Sequence, residues 1–189
     1  MYNSPVLYDN SETIKEQFSV NTARPKHLII YDQEGADDVK QFVTNIQQET
    51  LEYDLYEMTD SMDLNELRVL LYQQKMGTQL YLASKWDNAV IAFTEAIEAG
   101  FTEDEIQTVI YGEKRRYAYC MKCYNVTEIG EEDKDQCTHC GTHILVGPFF
   151  SHVRKGYVTY PYAVEKVDPE DLANRKSNSG TTVEELKTI

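Results

Sequence analysis

The sequence predicts an α/β protein with a second, smaller module behind it. Over residues 27–112, four short β-rich runs alternate with three amphipathic helical stretches, and two Cys-x-x-Cys pairs follow. Strict β-α-β-α-β-α-β alternation implies a parallel sheet with right-handed crossovers and helices on both faces. At roughly 85 residues the sheet is a short Rossmann-like layer, smaller than a complete dinucleotide-binding domain. Residues 1–26 read as an extended arm, 113–163 as a cysteine-rich ribbon with an aromatic segment, and 164–189 as a mobile polar tail.

Each element has its own signal. In the arm, Pro5 and Pro25 break any period, while Tyr2, Val6, Leu7, Tyr8, Ile14 and Phe18 are apolar enough to lie on another surface. His27–Asp32 is a short apolar run, read as a buried strand. Gly35–Thr50 follows as a helix, with Val39, Phe42, Val43 and Ile46 at helical spacing and Asp37 and Asp38 at its positive end. Glu52–Met58 alternates like a strand, and Asp63 caps a helix lined by Leu64, Leu67, Leu70 and Leu71. Gly77–Ser84 is the third strand. Trp86–Gly100 is the third helix, with Ala89, Val90, Phe93, Ala96 and Ile97 as its stripe and Gly100 as its terminator. Glu103–Tyr111 supplies the fourth strand.

All four cysteines lie in Cys120-Met-Lys-Cys123 and Cys137-Thr-His-Cys140, thirteen residues apart. A two-residue spacer lets a tight turn aim both sulfurs at one point, and two such turns complete a tetrahedron of thiolates. Cys120, Cys123, Cys137 and Cys140 are therefore the predicted ligands of a structural zinc. The same ligand set holds iron in one-electron carriers of the rubredoxin type. Those carry glycine after both pairs and proline inside the second, whereas here Tyr124 follows the first and Thr138-His139 fill the second. The reading thus favours zinc. Residues 124–136 form an acidic hairpin around Gly130, and Thr142–Val146 is a further strand.

The charge is -14 over 189 residues. Residues 1–110 hold seven Lys/Arg against twenty Asp/Glu, and residues 111–189 hold eleven against twelve. So acidic a surface repels nucleic acid and anionic membranes; taken alone it reads first as solubility, and second as a docking surface for a basic partner protein. There is no run long enough to cross a bilayer and no secretory leader in MYNSPVLYDN, so the expected location is cytoplasmic.

No catalytic constellation is legible. A nucleotide-binding sheet carries glycines at its first βα junction, where backbone N–H groups approach phosphates. Here Tyr31-Asp-Gln-Glu-Gly35-Ala-Asp-Asp38 has one glycine among four carboxylates. His27, His143 and His152 lack partners at informative spacing, and His139 sits inside the second cysteine turn. The segment 147–162 is strongly aromatic. Phe149, Phe150, Arg154 and Tyr157 are its candidate partner contacts, as paired aromatics beside Arg-Lys fit an interface anchor. Cover for the ribbon itself is the other reading of the two phenylalanines.

Lys114–Cys123, Cys137-Thr-His-Cys-Gly-Thr-His-Ile-Leu-Val146 and Phe149-Phe-Ser-His-Val-Arg-Lys-Gly-Tyr157 together resemble the C-terminal module of a bacterial dimethylamine monooxygenase subunit family. Met76–Ser84 and Gly100–Ile106 fit the same pattern and are similar to the end of ferredoxin-reductase nucleotide domains. The resemblance spans about 27–158 and is specific in the ribbon and its tail. It implies a non-catalytic subunit of a haem-dependent oxygenase that demethylates a small methylamine using a reduced nicotinamide cofactor. Haem, flavin and nicotinamide would reside on partner oxygenase and reductase subunits. This chain would supply structure, docking or an electron-transfer contact. The reductase Cys-Gly-Pro is Ala83-Ser-Lys85 here, and Val153 stands where the family more often has Arg. Besides the oxygenase subunit, a rubredoxin-like electron carrier and a free-standing zinc-ribbon adaptor remain as readings.

Overall fold

A computed structural model describes residues 7–59 and 63–163. The expectations for Tyr2, Val6 and the tail 164–189 fall outside these residues. Strands β1 (Lys26–Tyr31), β2 (Glu52–Glu57), β3 (Thr78–Lys85) and β4 (Ile106–Tyr111) form one sheet in the order β2-β1-β3-β4, every pair parallel. Helices α1 (Ala36–Gln48), α2 (Leu64–Tyr72) and α3 (Trp86–Glu98) make the crossovers. Alternate strand residues separate the two faces. Ile29, Tyr81 and Ala83 meet Val39, Phe42 and Ile46 of α1. Leu28, Ile30, Leu80 and Leu82 meet Leu67 and Leu71 of α2 and Trp86, Ala89 and Phe93 of α3. Truncating one such buried aromatic, Phe42 or Phe93, to alanine is worth about 3–5 kcal/mol.

The helix ends are set by local chemistry. The Asp63 carboxylate accepts from the Asn65 N–H and starts α2. At the end of α3 the Gly100 N–H donates to the Ile97 carbonyl and the Phe101 N–H to that of Ala96, with Gly100 at φ 105°. This is the paired closure that a glycine beyond the helix allows. Helix α1 ends with the same closure, but Thr50 holds the left-handed position at φ 57°. The fourth strand begins at Ile106 rather than Glu103, because Thr102 and Glu105 close a capping box around a single 3₁₀ turn.

The second sheet contains β5 (Arg116–Tyr119), β6 (Val126–Ile129), β7 (Lys134–Gln136), β8 (His143–Ser151) and β9 (Gly156–Pro161), in the order β6-β5-β9-β8-β7. Two antiparallel hairpins, β5–β6 and β7–β8, carry one cysteine pair each, and β9 bridges them. The aromatic segment is thus mostly strand. A register shift between Val146 and Phe150 interrupts the alternation that would have announced it.

The arm ties the two sheets together. Leu7 enters the core beneath α2 and α3. Tyr8 stacks on Phe150 with centroids 4.7 Å apart. Residues 13–15 pair with Thr108 along the open edge of β4. Phe18 packs on Phe42 and Tyr81 beside α1.

Candidate metal centre and docking face

Both cysteine turns close in the same way. The Cys120 N–H donates to the Asn125 carbonyl and the Tyr124 N–H to that of Cys120. In the second turn, the Cys137 N–H donates to the Thr142 carbonyl and the Gly141 N–H to that of Cys137. The residue after each pair is left-handed, Tyr124 at φ 62° and Gly141 at φ 67°. Only the second position uses the residue that adopts this conformation without strain. The turns are stitched to each other: the Thr127 and Thr138 hydroxyls are 2.7 Å apart, and His139 Nε2 lies 3.1 Å from the Val126 carbonyl, a bond made as the Nε2–H tautomer.

This frame brings all four sulfurs within 4.8 Å of one another. Cys120 and Cys140 Sγ are 3.8 Å apart, and Cys123 and Cys137 Sγ 3.7 Å. Zn–S bonds of about 2.3 Å in a tetrahedron require S···S separations of about 3.8 Å. The residues present therefore fit a four-thiolate metal, and no other group of three or more potential ligands occurs among the described residues. Cys120 and Cys137 are buried in the ribbon core, while Cys123 and Cys140 are half-exposed. Burial pushes the Cys137 thiol up to about 11. The Thr142 hydroxyl and backbone hold Cys140 down to about 6, and the Asn125 backbone lowers Cys123. In such a site the ion is a crosslink between the two hairpins, with every coordination position filled by protein.

The four candidate partner contacts divide. Phe149 is 73% exposed, and the exposed Arg154 lays its guanidinium 5.0 Å over the Tyr119 ring. Phe150 and Tyr157 instead face into the molecule, because β8 and β9 turn them toward the arm. Tyr157 is 3% exposed and its hydroxyl donates to Asp9 Oδ1 at 2.7 Å. Asn10 Nδ2 donates to the same hydroxyl, Arg116 lies over the ring, and Arg116 Nε sits 3.4 Å from Asp9 Oδ2. These two aromatics are an internal clasp rather than free anchors. Tyr8 lies on another surface, as its apolar character in the arm implied, but Asp9 and Arg116 were missed, because their separation of over a hundred residues leaves no local signal. On the outer face of the ribbon, Phe149 is accompanied by Val126, Leu145 and Tyr160, all exposed. Gly147 makes room for the Tyr160 ring, since a Cβ there would lie 3.1 Å from it and 2.9 Å from the Val158 carbonyl.

The other place to look for a ligand is the switch point of the parallel sheet, at the carboxyl ends of β1 and β3, where open α/β sheets bind. An open groove of about 400 Å³ lies there, lined by Glu34, Lys85, Trp86, Asp87, Tyr111 and Arg115 among others. A buried carboxylate lies beside it, bonded to the backbone of the lining residues Glu34 and Lys85. The Asp32 carboxylate, 4% exposed, accepts from the Glu34 and Gly35 N–H groups on one oxygen. The other oxygen accepts from the Lys85 N–H at 2.9 Å and Asn88 Nδ2 at 2.8 Å. These donors at the starts of α1 and α3 are the kind that cradle phosphates elsewhere. Gly35 serves packing: a Cβ on it would lie 2.3 Å from the Ala83 carbonyl oxygen. His27 is fully buried in the sheet, His143 lies beside the Tyr162 ring, and His152 packs edge-on to Tyr8 and Phe150.

No helix among the described residues is long and apolar enough to cross a membrane. Comparison with protein-family models, curated proteins and solved structures finds no match to the chain.

Proposed function

We propose that the chain is a non-catalytic docking subunit whose ribbon is held in shape by a structural zinc. The observation that carries this is the convergence of Cys120, Cys123, Cys137 and Cys140 at the spacing of a closed tetrahedral site. Occupation of the switch point by Asp32 supports a non-catalytic role, since the donors a nucleotide would need are already engaged. The exposed Phe149 and Arg154 are the partner contacts. The resemblance of residues 114–157 to dimethylamine monooxygenase subunits names the partner class: haem-bearing oxygenase and reductase subunits that demethylate a small methylamine with reduced nicotinamide. Zinc supplies the crosslink; Phe149 and Arg154 supply the contact.

Metal analysis with an absorption spectrum on the purified chain is the first test. One colourless zinc per chain is expected, and chelation should disorder the ribbon. A red chain with visible absorption overturns the structural-zinc reading in favour of an iron electron carrier. Co-purification with a haem protein, lost in Phe149→Ala/Arg154→Ala at unchanged metal content, is expected for the oxygenase reading. A stable monomer indifferent to such partners sinks that reading and leaves a free-standing adaptor.

A further inference from the structure

His27 is the one histidine with no solvent exposure; among the described residues neither ring nitrogen makes a well-formed hydrogen bond, and the Arg24 backbone is the one acceptor in reach. It points to the α1 face of β1 and stacks on Tyr81, with ring centroids 5.8 Å apart. Its neighbour across β3 is Gln79, also buried, whose Nε2 is unpartnered too. These two neighbours are what the arm holds. Asn21 Nδ2 donates to Gln79 Oε1, the Asn21 N–H donates to the Tyr81 hydroxyl, and that hydroxyl donates to the Ser19 carbonyl. Phe18 packs edge-on to the Tyr81 ring.

We propose that His27 is an acid-sensitive latch for arm residues 18–24: the neutral ring permits the arm to close over Tyr81 and Gln79, and the protonated ring expels it. An imidazolium has two N–H donors and a full charge, and a buried charge without acceptors is expelled or neutralised. The surroundings offer it little. On β3, Tyr81 is held neutral by burial, which raises its pKa, and Gln79 turns its oxygen to the arm. On β2, Tyr53 is the neighbour across the strand, and its hydroxyl is bonded by Gln47 of α1. Helix α1 presents apolar Phe42 and Ile46 to this layer. From the arm, Arg24 is engaged with Glu105, and at the strand start Lys26 is engaged with Asp54 and Glu52. Burial accordingly lowers the His27 pKa, and the hydrogen bond to the Arg24 backbone, itself part of the arm, offsets this only in part. The sign follows: a depressed folded value favours the closed state above the ordinary histidine range near 6.5, and that advantage is lost as pH falls below it. The arm is the element to yield, since single side-chain hydrogen bonds and ring contacts hold residues 18–24, the Ser19–Gln107 pair among them, whereas β1 and β3 are central strands held by full ladders.

The test is an NMR titration of the full chain from pH 7.5 to 4.5, reading the His27 ring and the exchange protection of arm amides. At pH 7.5 the His27 ring should be neutral. On acidification, protection of the Asn21 amide should fall at least tenfold, corrected for intrinsic exchange, with a midpoint matching His27 protonation, while β3 amides stay protected. In His27→Phe, which keeps the stack on Tyr81, the arm should stay closed at low pH. Arm opening that persists in His27→Phe, or whose midpoint departs from the His27 titration in the parent chain, overturns the proposal. So does a His27 that titrates while the arm stays shut. The second and third outcomes need no variant, so the test stands even if His27→Phe fails to fold.

Discussion

Asp32→Asn is the most informative single change in the sheet, because it preserves shape and removes one acceptor and the charge. The carboxylate now accepts from four donors, two on each oxygen. An amide must turn its NH₂ toward one of these pairs. The less costly choice faces the longer bonds, 3.1 Å to the Glu34 N–H and 3.4 Å to the Gly35 N–H. Glu34 is exposed and can be rehydrated, and the Gly35 N–H keeps the Asp32 carbonyl at 3.1 Å. Two bonds are lost, at about 1 kcal/mol each. The pair to Lys85 and Asn88 loses its ionic component, worth about 1 kcal/mol more. The expected loss is about 3 kcal/mol, or roughly 6–12 °C in Tm for a chain of this size. Urea unfolding measures it, and Trp86, the lone tryptophan, is buried in the sheet core and reports on that layer. The midpoint should fall with an unchanged slope. Asp37→Asn is the control, since Asp37 is almost fully exposed in the first turn of α1. A loss under about 1 kcal/mol, or no larger than the control's, would show that the carboxylate is not what joins α1 and α3 to the sheet.

Three further outcomes are expected. Gly35→Ala forces about 1 Å of movement between α1 and β3, given the 2.3 Å approach of a Cβ to the Ala83 oxygen, and should cost about 3 kcal/mol; Gly100→Ala, at φ 105° in open space, should cost only about 1 kcal/mol, so equal midpoints in urea contradict the packing argument. Thr50→Gly should stabilise by about 0.5–1 kcal/mol, because a β-branched residue leaves the left-handed position; a lower unfolding midpoint would refute this. Burial, then the Asp9 carboxylate, push the Tyr157 phenol up to about 12, so the clasp's contribution is fully present below pH 10 and lost as pH rises through 12. About 3 kcal/mol should disappear across that window, by pH-dependent denaturation, and Tyr157→Phe should remove this alkaline component.

The alternation of elements and the meeting of the four cysteines were legible because their signals are local: apolar spacing in α1 and α3, and a two-residue spacer in each cysteine turn. What the sequence hid was long-range or disguised. Asp32 reads as one acid among several near Gly35, and only the approach of β3 and α3 turns it into an internal anion. Thr50 and Tyr124 hold left-handed positions without the glycine that usually announces them. Strand β9 and the inward turn of Tyr157 were masked by the register shift in β8, whereas Phe150 takes the ribbon-covering place that the sequence left open for it. Such a shift moves a side chain to the opposite face without changing composition.

The clasp has a consequence for the order in which the chain assembles. Asp9 meets Tyr157 across 148 positions, and Leu7 beside it seals the core under α2 and α3. A contact of that sequence separation closes late, after the loop entropy of everything between has been lost. During synthesis the parallel layer is complete once Tyr111 has emerged, yet its first residues find their aromatic counterpart only when β9 leaves the ribosome. At about 5–20 residues per second this is an interval of several seconds. Throughout it Tyr8 and Asp9 lack the ribbon partners that hold them. The ribbon is thus also what lets residues 8–10 of the arm come to rest.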